Sequence, residues 1–407
     1  MLRQFETYIY RLKRIYHFFK TGLLRGLVGQ IKFQFPASKL KIITITGTDG
    51  KTTSSSLLYH LLKSSGKKVG LISTVAAYIG DDQIDTGFHV TTPDPFLVQK
   101  LLRNMVNQGV EYVVIEVTSH GEYQFRTWGI RPLLAGLTNI THEHLDYHLT
   151  YDLYVQTKVW SLKKAKTIVV NADDQSFAKI KKSINFKRKE VITYSALDPI
   201  FSQVSGAIKR RFIQHYNQMN ARLVYALSQK LEISNKDFIM AMQSFPTVPG
   251  RMQEVENKKG IRVIVDFAHT PNGLESALSA LKKEVPKGKK LIAVFGCAGL
   301  RDHQKRPMMG KIGVDIADLV VFTAEDPRTE DIWSIIRQMK EQLITGHDRI
   351  VSIADRKQAI TFALTKLAQK GDIVALLGKG HEKSLCYGLI EYPWSDQVVA
   401  EEILKSI

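Results

Sequence analysis

Gly47-Thr48-Asp49-Gly50-Lys51-Thr52-Thr53 is a short run bounded by glycines that ends in a lysine and two hydroxyls. Those residue types in that order suit a phosphate chain. Glycines let backbone N–H groups turn toward phosphate oxygens, and the start of a following helix adds partial positive charge. Lys51 would reach the β- and γ-phosphates, and the Thr52 hydroxyl would ligate magnesium. The longer G-x-x-x-x-G-K-[ST] pattern is not met, because Ile45 stands where its first glycine belongs. The expected chemistry is nucleotide binding, used for ATP-dependent ligation.

Other candidates lie downstream. Glu116 follows the apolar run Val113-Val114-Ile115, which places a carboxylate at the C-terminal end of a strand. In open α/β sheets that edge binds ligands, and an oxygen donor there suits Mg²⁺; the plain alternative is a capping or salt-bridged Glu. The segment Thr141-His142-Glu143-His144-Leu145-Asp146-Tyr147-His148 puts three histidines near two carboxylates, which admits zinc, although no HExxH or cysteine pattern completes a site. Taken alone, Lys158 is an ordinary surface lysine.

These residues need a scaffold, and the patterning supplies one. Residues 41–46 read as a β-branched strand running into the glycine loop, and 53–64 as a helix. Residues 69–73, 112–117 and 167–170 read as strands, with helices over 96–108 and 217–231. The stretch 179–189 is basic and poorly patterned. After a boundary at 246–250 the alternation restarts, with strands over 263–266, 291–295, 319–323 and 373–377. Such alternation implies parallel sheets with crossover helices.

Composition bounds the rest. The chain has 407 residues, enough for two or three domains, and no apolar run approaches the ~18 residues of a membrane span. Basic residues interrupt the apolar ones at the start, so it does not read as a secretory signal. The two cysteines, Cys297 and Cys386, form no metal pattern and fit a reducing, cytosolic setting. The net charge of +18 favours anionic partners without choosing among them; no nucleic-acid signature is present, and none is expected as a partner. Within the first forty residues Phe5, Ile9, Leu12, Tyr16, Phe19 and Leu23 recur at helical spacing between Lys and Arg, with Glu6 the one acidic side chain. Two readings stand: a helix packing this stripe on the main body, or a basic helix in peripheral contact with a membrane through residues 1–35. Pro36-Ala37-Ser38 reads as a linker.

Over residues 42–396 the chain resembles the Mur ligase family, most closely the MurE type that adds the third amino acid to a peptidoglycan precursor. The loop is similar to that family's GT[DN]GKT[TS]. Thr91-Thr92-Pro93 resembles its TTP, Glu116-Val117-Thr118-Ser119-His120-Gly121 its E-V-S-S-H-G, and His144-Leu145-Asp146-Tyr147-His148 its H-L-D-Y-H. Pro249-Gly250-Arg251-Met252, Asp266-Phe267-Ala268-His269-Thr270-Pro271, Gly296-Cys297-Ala298-Gly299-Leu300-Arg301-Asp302, Lys305-Arg306-Pro307 and Gly378-Lys379-Gly380-His381-Glu382 continue the family order.

The resemblance implies an α/β architecture: a basic N-terminal extension (1–40), a P-loop parallel-sheet ATP-binding domain (41–246) and a Rossmann-like amino-acid-binding domain (247–407). It implies ATP and Mg²⁺, with Thr52, Glu116, His144 and a carbamylated Lys158 around the ion. Gly47, Thr48, Asp49, Gly50, Lys51, Thr52, Thr53, Asn217, Arg251 and Asp266 would hold the nucleotide. Thr91, Thr92, Thr118, Gln124 and Arg126 would meet a muramyl peptide. Arg301, Glu325, Asp326, Arg328, Gly378 and Glu382 would meet the incoming amino acid. Glu325-Asp326-Pro327-Arg328 stands where relatives that use meso-diaminopimelate carry D-N-P-R, so diaminopimelate is expected over lysine. The family's UDP-binding domain has no counterpart ahead of the loop, and the segment 174–217 looks trimmed. The expected acceptor is therefore a lipid-linked or free muramyl peptide, and the expected setting the bacterial cytoplasm, with contact at the membrane. A folylpolyglutamate synthetase-like ligase, a silent membrane-apposed scaffold and a nucleic-acid-stimulated P-loop protein are the competing readings. The motifs at 91–93, 325–328 and 378–382 count against the first, and Lys51, Glu116, His144 and Lys158 together against the second.

Overall fold

The structure, a computed structural model, describes residues 2–80, 82–84 and 91–406; the side chains of residues 2–5, Phe5 among them, lie outside the described set. The chain divides into two compact units. The first comprises 1–141 and 148–246, and the second 142–147 and 247–407. The short segment 142–147, flanked in sequence by the first unit, packs with the second.

The first unit is built on an eight-stranded sheet. Its strands are β1 (Lys41–Thr46), β2 (Val69–Ile72), β3 (Ala77–Ile79), β4 (Asp82–Ile84), β5 (Tyr112–Val117), β6 (Leu134–Leu137), β7 (Thr167–Asn171) and β8 (Glu190–Tyr194), in the order β4-β3-β2-β5-β1-β6-β7-β8. From β2 across to β8 the pairing is parallel, and β3 and β4 close one edge antiparallel. Every residue of β5 is buried, as a near-continuous apolar run covered on both faces requires. β1 lies between β5 and β6, so the crossover leaving β1 and the one leaving β5 diverge there and open a crevice beyond the strand ends. The poorly patterned stretch 179–189 proves partly ordered. A helix runs Phe177–Ser183, and β8, which the sequence reading missed, pairs with β7 directly after it.

The second unit carries β9 (Gln253–Val255), β10 (Arg262–Asp266), β11 (Leu291–Phe295), β12 (Leu319–Phe322), β13 (Ile350–Ser352) and β14 (Ile373–Leu377), in the order β13-β12-β11-β14-β10-β9. Only β9 runs antiparallel. Apolar clusters fill both faces of this sheet. Four loops leave the C-terminal ends of β10, β11, β12 and β14, and they carry 266–271, 296–302, 323–328 and 378–382. A hairpin of β15 (Ser384–Tyr387) and β16 (Ile390–Pro393) follows the last of these.

The N-terminal region is helical as expected, but its packed face is not the expected one. An α-helix Leu2–His17 continues as a π-helix Phe18–Leu27 and a short α-helix Val28–Lys32. Leu12, Tyr16 and Phe19 of the anticipated stripe are exposed. The face turned to the first unit is made by Tyr10, Arg14, Phe18, Gly22, Gly26 and Gly29. The Phe18 ring meets Trp128 edge-on at 5.4 Å, and the Arg14 guanidinium lies 3.5 Å over the Trp160 ring. A Cβ at Gly26 would come within 2.6 Å of Trp128, so glycine is what allows this approach. The chain leaves the helix through Gln34 and Phe35, both in the left-handed region, and the expected linker is a 3₁₀ turn, Pro36–Lys39.

Candidate active site

Backbone geometry in the glycine loop follows from its sequence. Gly47 (φ 154°) and Gly50 (φ 81°) adopt conformations that side chains resist. A Cβ at Gly47 would sit 1.8 Å from Thr138 Oγ1, and one at Gly50 would sit 2.2 Å from Asn220 Oδ1. The helix Lys51–Ser64 starts directly at the loop, so its first N–H groups face the space beyond β1. The loop is also braced from β6 onward: the Asp49 N–H donates to Asn139 Oδ1 (3.0 Å) and the Thr138 hydroxyl to the Asp49 carbonyl (2.7 Å). Lys51 Nζ donates to the Thr48 carbonyl at 2.7 Å, which folds the ammonium back over the loop. Thr53 is buried on the same helix. Asn217 accepts from Asn220 (3.2 Å), the residue that meets Gly50. One of the expected nucleotide contacts is thereby linked to the loop through a side chain the sequence reading passed over.

Glu116 is buried at the end of β5, level with Ile45 of β1. Its Oε1 accepts from the Thr52 hydroxyl at 3.1 Å and the Thr74 hydroxyl at 2.9 Å, and its Oε2 from the Thr74 N–H at 3.1 Å. Two hard oxygens, the Thr52 hydroxyl and the Glu116 carboxylate, are thus adjacent at the foot of the phosphate loop, a donor set that fits Mg²⁺. Thr74 was not anticipated; no motif marks it, and it arrives from the turn after β2.

The residues expected to meet the acceptor converge beside this carboxylate. The Thr74 and Thr91 hydroxyls lie 2.9 Å apart, and those of Thr92 and Thr118 3.1 Å apart. Arg126 donates from Nη1 to the Thr92 carbonyl (2.9 Å) and from Nη2 to Gln124 Oε1 (2.7 Å). Lys158, on the helix Tyr151–Lys163, is buried, not on the surface, and its Nζ donates to the Gly47 carbonyl at 2.6 Å. Its ammonium lies 4.7 Å from the centroid of the Tyr154 ring, whose hydroxyl is 3.0 Å from that of Thr48. His148 is enclosed by Tyr10, Tyr123, His120 and the same Tyr154. Burial, with the nearby His120 and Lys158 charges, pushes this imidazole down to about 2.

The three histidines of 141–148 therefore part company. His142 pairs with Asp302 (3.5 Å), which raises the imidazole and lowers the carboxylate against its own burial. His144, in the left-handed region, lies 3.5 Å from Glu143 Oε1. Among the described residues no three His, Cys, Asp or Glu side chains gather as a metal cage, so this segment offers no zinc site of its own. Of the four expected metal ligands, Thr52, Glu116 and Lys158 belong to the first unit and His144 to the second.

In the second unit Asp266 accepts from the backbone N–H groups of Met252 (2.6 Å) and Ala268 (2.9 Å), and Arg251 lies 4.5 Å over the Phe267 ring. Asp326 and Arg328 both sit in the left-handed region. Asp326 Oδ1 accepts from Lys379 Nζ (2.8 Å) and the Cys386 N–H (2.9 Å), and the same ammonium reaches Glu382 at 2.6 Å. Burial alone would lower Lys379; Glu382 and Asp326 outweigh it, and the group is raised. Arg328 Nη1 donates to the Gly299 carbonyl at 2.7 Å. Glu325 is buried against Gly378, its Oε2 without a hydrogen-bond partner among the described residues, and burial lifts it to about 7 despite the Lys305 charge. Glu325, Asp326, Arg328, Gly378 and Glu382 thus form one group around Lys379, while Arg301 stands exposed on the neighbouring loop. Beneath them the fully buried Arg356 pairs with Asp396 through two bonds (2.8 and 2.6 Å) and donates to the Ala324 and Leu377 carbonyls (both 2.9 Å). It ties together the two loops that present Glu325 and Gly378. Neither Arg356 nor Asp396 stands in a motif, so spacing could not have found them.

A nucleotide-type loop on one parallel sheet and a cluster of charged loops at the strand ends of a second define a two-part α/β ligase architecture. Comparison with known proteins agrees. Residues 45–235 match the Mur ligase middle domain, and residues 250–380 the Mur ligase glutamate ligase domain. The chain is 36% identical over 390 residues to the UDP-N-acetylmuramoyl-L-alanyl-D-glutamate--2,6-diaminopimelate ligase of Clostridium botulinum, covering 91% of this chain and 79% of that one. To the ligase of the same name from Cytophaga hutchinsonii it is 34% identical over 401 residues, 94% of this chain and 81% of that one. A solved structure of a ligase of that name superposes with a TM-score of 0.58 at 28% identity, covering 94% and 83% of the two chains. A folylpolyglutamate synthase from Mycobacterium tuberculosis shares the fold, with a TM-score of 0.69 at 16% identity over 88% and 92% of the chains. The chain belongs to the Mur ligase family, whose enzymes are ATP-dependent amide ligases.

Proposed function

We propose that the protein joins an amino acid, meso-diaminopimelate, to the D-glutamate carboxylate of a muramoyl-L-Ala-D-Glu peptide at the cost of ATP. The observation that carries this reading is the convergence of Lys51, Thr52 and Glu116 with the hydroxyls of Thr91, Thr92 and Thr118 in a single unit, in a chain whose relatives carry that activity in their names. The acceptor carboxylate attacks the γ-phosphorus, the β–γ bridge bond breaks, and ADP departs. The amine then adds to the acyl carbon, loses its proton, and phosphate leaves. Loop N–H groups and Lys51 offset charge on the transferring phosphoryl group. Thr52 and Glu116 would hold Mg²⁺, which when bound neutralises phosphate charge. Arg126 and Gln124 would orient the acceptor peptide.

On this reading Lys158 is carbamylated in the working enzyme: CO₂ would turn its cation into an anion beside the Gly47 carbonyl. In the second unit His144 would be a metal contact and Arg251 and Asp266 nucleotide contacts. Arg328 of the same unit would grip a carboxylate of the amino acid, beside Glu325 and Asp326, and Gly378 and Glu382 would read its far ammonium and carboxylate end. Arg328, a bidentate donor, supports diaminopimelate over lysine.

The test offers the purified protein ATP, Mg²⁺ and UDP-muramoyl-L-Ala-D-Glu with diaminopimelate, lysine or glutamate separately, and measures phosphate release. Release with diaminopimelate is expected, and no release with any of the three would sink the proposal. A Lys158→Ala variant that kept full activity would remove the carbamate role alone.

A further inference from the structure

The N-terminal helix has two apolar faces. One is spent on the first unit. The other bears Tyr8, Leu12, Ile15, Tyr16, Phe19, Leu24, Val28 and Ile31, and with Phe35 just beyond the helix these make nine of the twenty large apolar side chains exposed anywhere in the described chain. Phe19 is 57% exposed, Leu24 66% and Ile31 59%. Scattered singly, such residues would mean nothing; a row this long on one element marks a contact surface. The π-helix is what keeps the row straight. An i→i+5 turn carries the outer face from Phe19 to Leu24, where α-helical spacing would have turned Leu23 outward.

Charge says what the surface meets. Exposed Arg11, Lys13, Lys20 and Lys32 border the row, and Arg25 is paired with Asp94 at 3.0 Å. Glu6 is the one acidic side chain among the first forty residues. Two copies brought together through this face would oppose like charges. A bilayer rich in anionic headgroups would take both features at once, seating the apolar row at the acyl boundary and the cations at the phosphates. No helix among the described residues is long and apolar enough to cross a membrane, so the contact lies in the surface plane.

We infer that residues 8–35 dock the protein on an anionic phospholipid surface. The full chain is mixed with vesicles of phosphatidylcholine alone, or containing roughly 30% phosphatidylglycerol, and separated by flotation. Retention at least about tenfold greater on the anionic vesicles, weakened by salt, is expected. A Leu24→Glu/Ile31→Glu variant changes only exposed side chains, so it should lose retention while its circular dichroism and nucleotide binding stay unchanged. Equal retention on both vesicle types would overturn the inference. So would light scattering that shows a dimer dissolved by the same double variant, which would make the face an interface between copies. Absence of retention in a monomeric protein would overturn it as well.

Discussion

The two units build their sites from different materials. In the first, hydrogen bonds to neutral groups hold the charged side chains in place: Lys51 to a loop carbonyl, Lys158 to the Gly47 carbonyl, Glu116 to threonine hydroxyls and an N–H. In the second, charges are buried in pairs and triads: Lys379 with Asp326 and Glu382, Arg356 with Asp396, and Arg306 with Glu330, whose carboxyl is held down at about 2 chiefly by the Arg306 bonds. A hydrogen bond to a neutral dipole fixes a charge in place without neutralising it. A charge paired in the interior is largely committed to architecture, and removing one partner strands the other. The second unit can therefore accept Asp326 where relatives with a D-N-P-R motif carry asparagine, because Lys379 takes up the added charge.

Substituting one lysine in each unit should separate the two designs most sharply. Lys51→Ala is expected to lower ATP turnover about 10³-fold, roughly 4 kcal/mol of transition-state stabilisation, with little change in urea midpoint. Lys379→Ala removes the buried ammonium that Asp326 and Glu382 share and should cost about 3 to 5 kcal/mol of stability by urea unfolding. If both variants lost stability equally, the contrast would fail.

pH should press the units in opposite directions. Glu325 normally titrates at 4.5 and is lifted to about 7 by burial. Between those values the folded chain keeps a proton that the unfolded chain has released. Stability therefore falls as pH rises through that window, by about 3 kcal/mol in all. Glu325→Gln should remove this falling contribution and so turn the slope of urea midpoint against pH more positive between pH 5 and 7, and an unchanged slope would contradict the assignment. His148 has the reverse sign. Its ordinary value is 6.5 and its buried value about 2, so only the unfolded chain gains a proton on acidification. The stability it confers is complete above pH 6.5 and shrinks by about 2 kcal/mol between pH 6.5 and 5. His148→Gln should remove this rising contribution and so turn the slope more negative between pH 5 and 6.5, with the slope above pH 7 unchanged, measured by the same titration.

Much of this was legible beforehand, for physical reasons. β11 and β14 begin and end where their apolar runs do, because a strand covered on both faces has nothing else to offer, and β1 and β5 fall at the residues read as strands although Lys41 and Glu116 interrupt their apolar character. The phosphate loop declared itself through Gly47 and Gly50, whose backbone angles no other residue tolerates well. The sequence was silent on Thr74, Asn220 and Arg356, ordinary residue types that matter only by where the chain delivers them. It misjudged the N-terminal helix for a different reason: a periodicity argument assumes one apolar face and a constant 3.6-residue turn, and this helix has two faces and changes its turn at Phe18.

Tyr10 carries a last implication, for the order in which the protein comes into being. Its hydroxyl lies 2.8 Å from His148 Nδ1 and 3.1 Å from Thr157 Oγ1, 138 and 147 residues further along. A ribosome adds about 5–20 residues each second, so the helix emerges roughly 7 to 30 s before the groups it must dock against. Throughout that interval both of its apolar faces are bare. The nascent chain thus offers a membrane or a chaperone a face that the finished protein hides, and whichever binds it must release the Tyr10 side before the first unit can close over it.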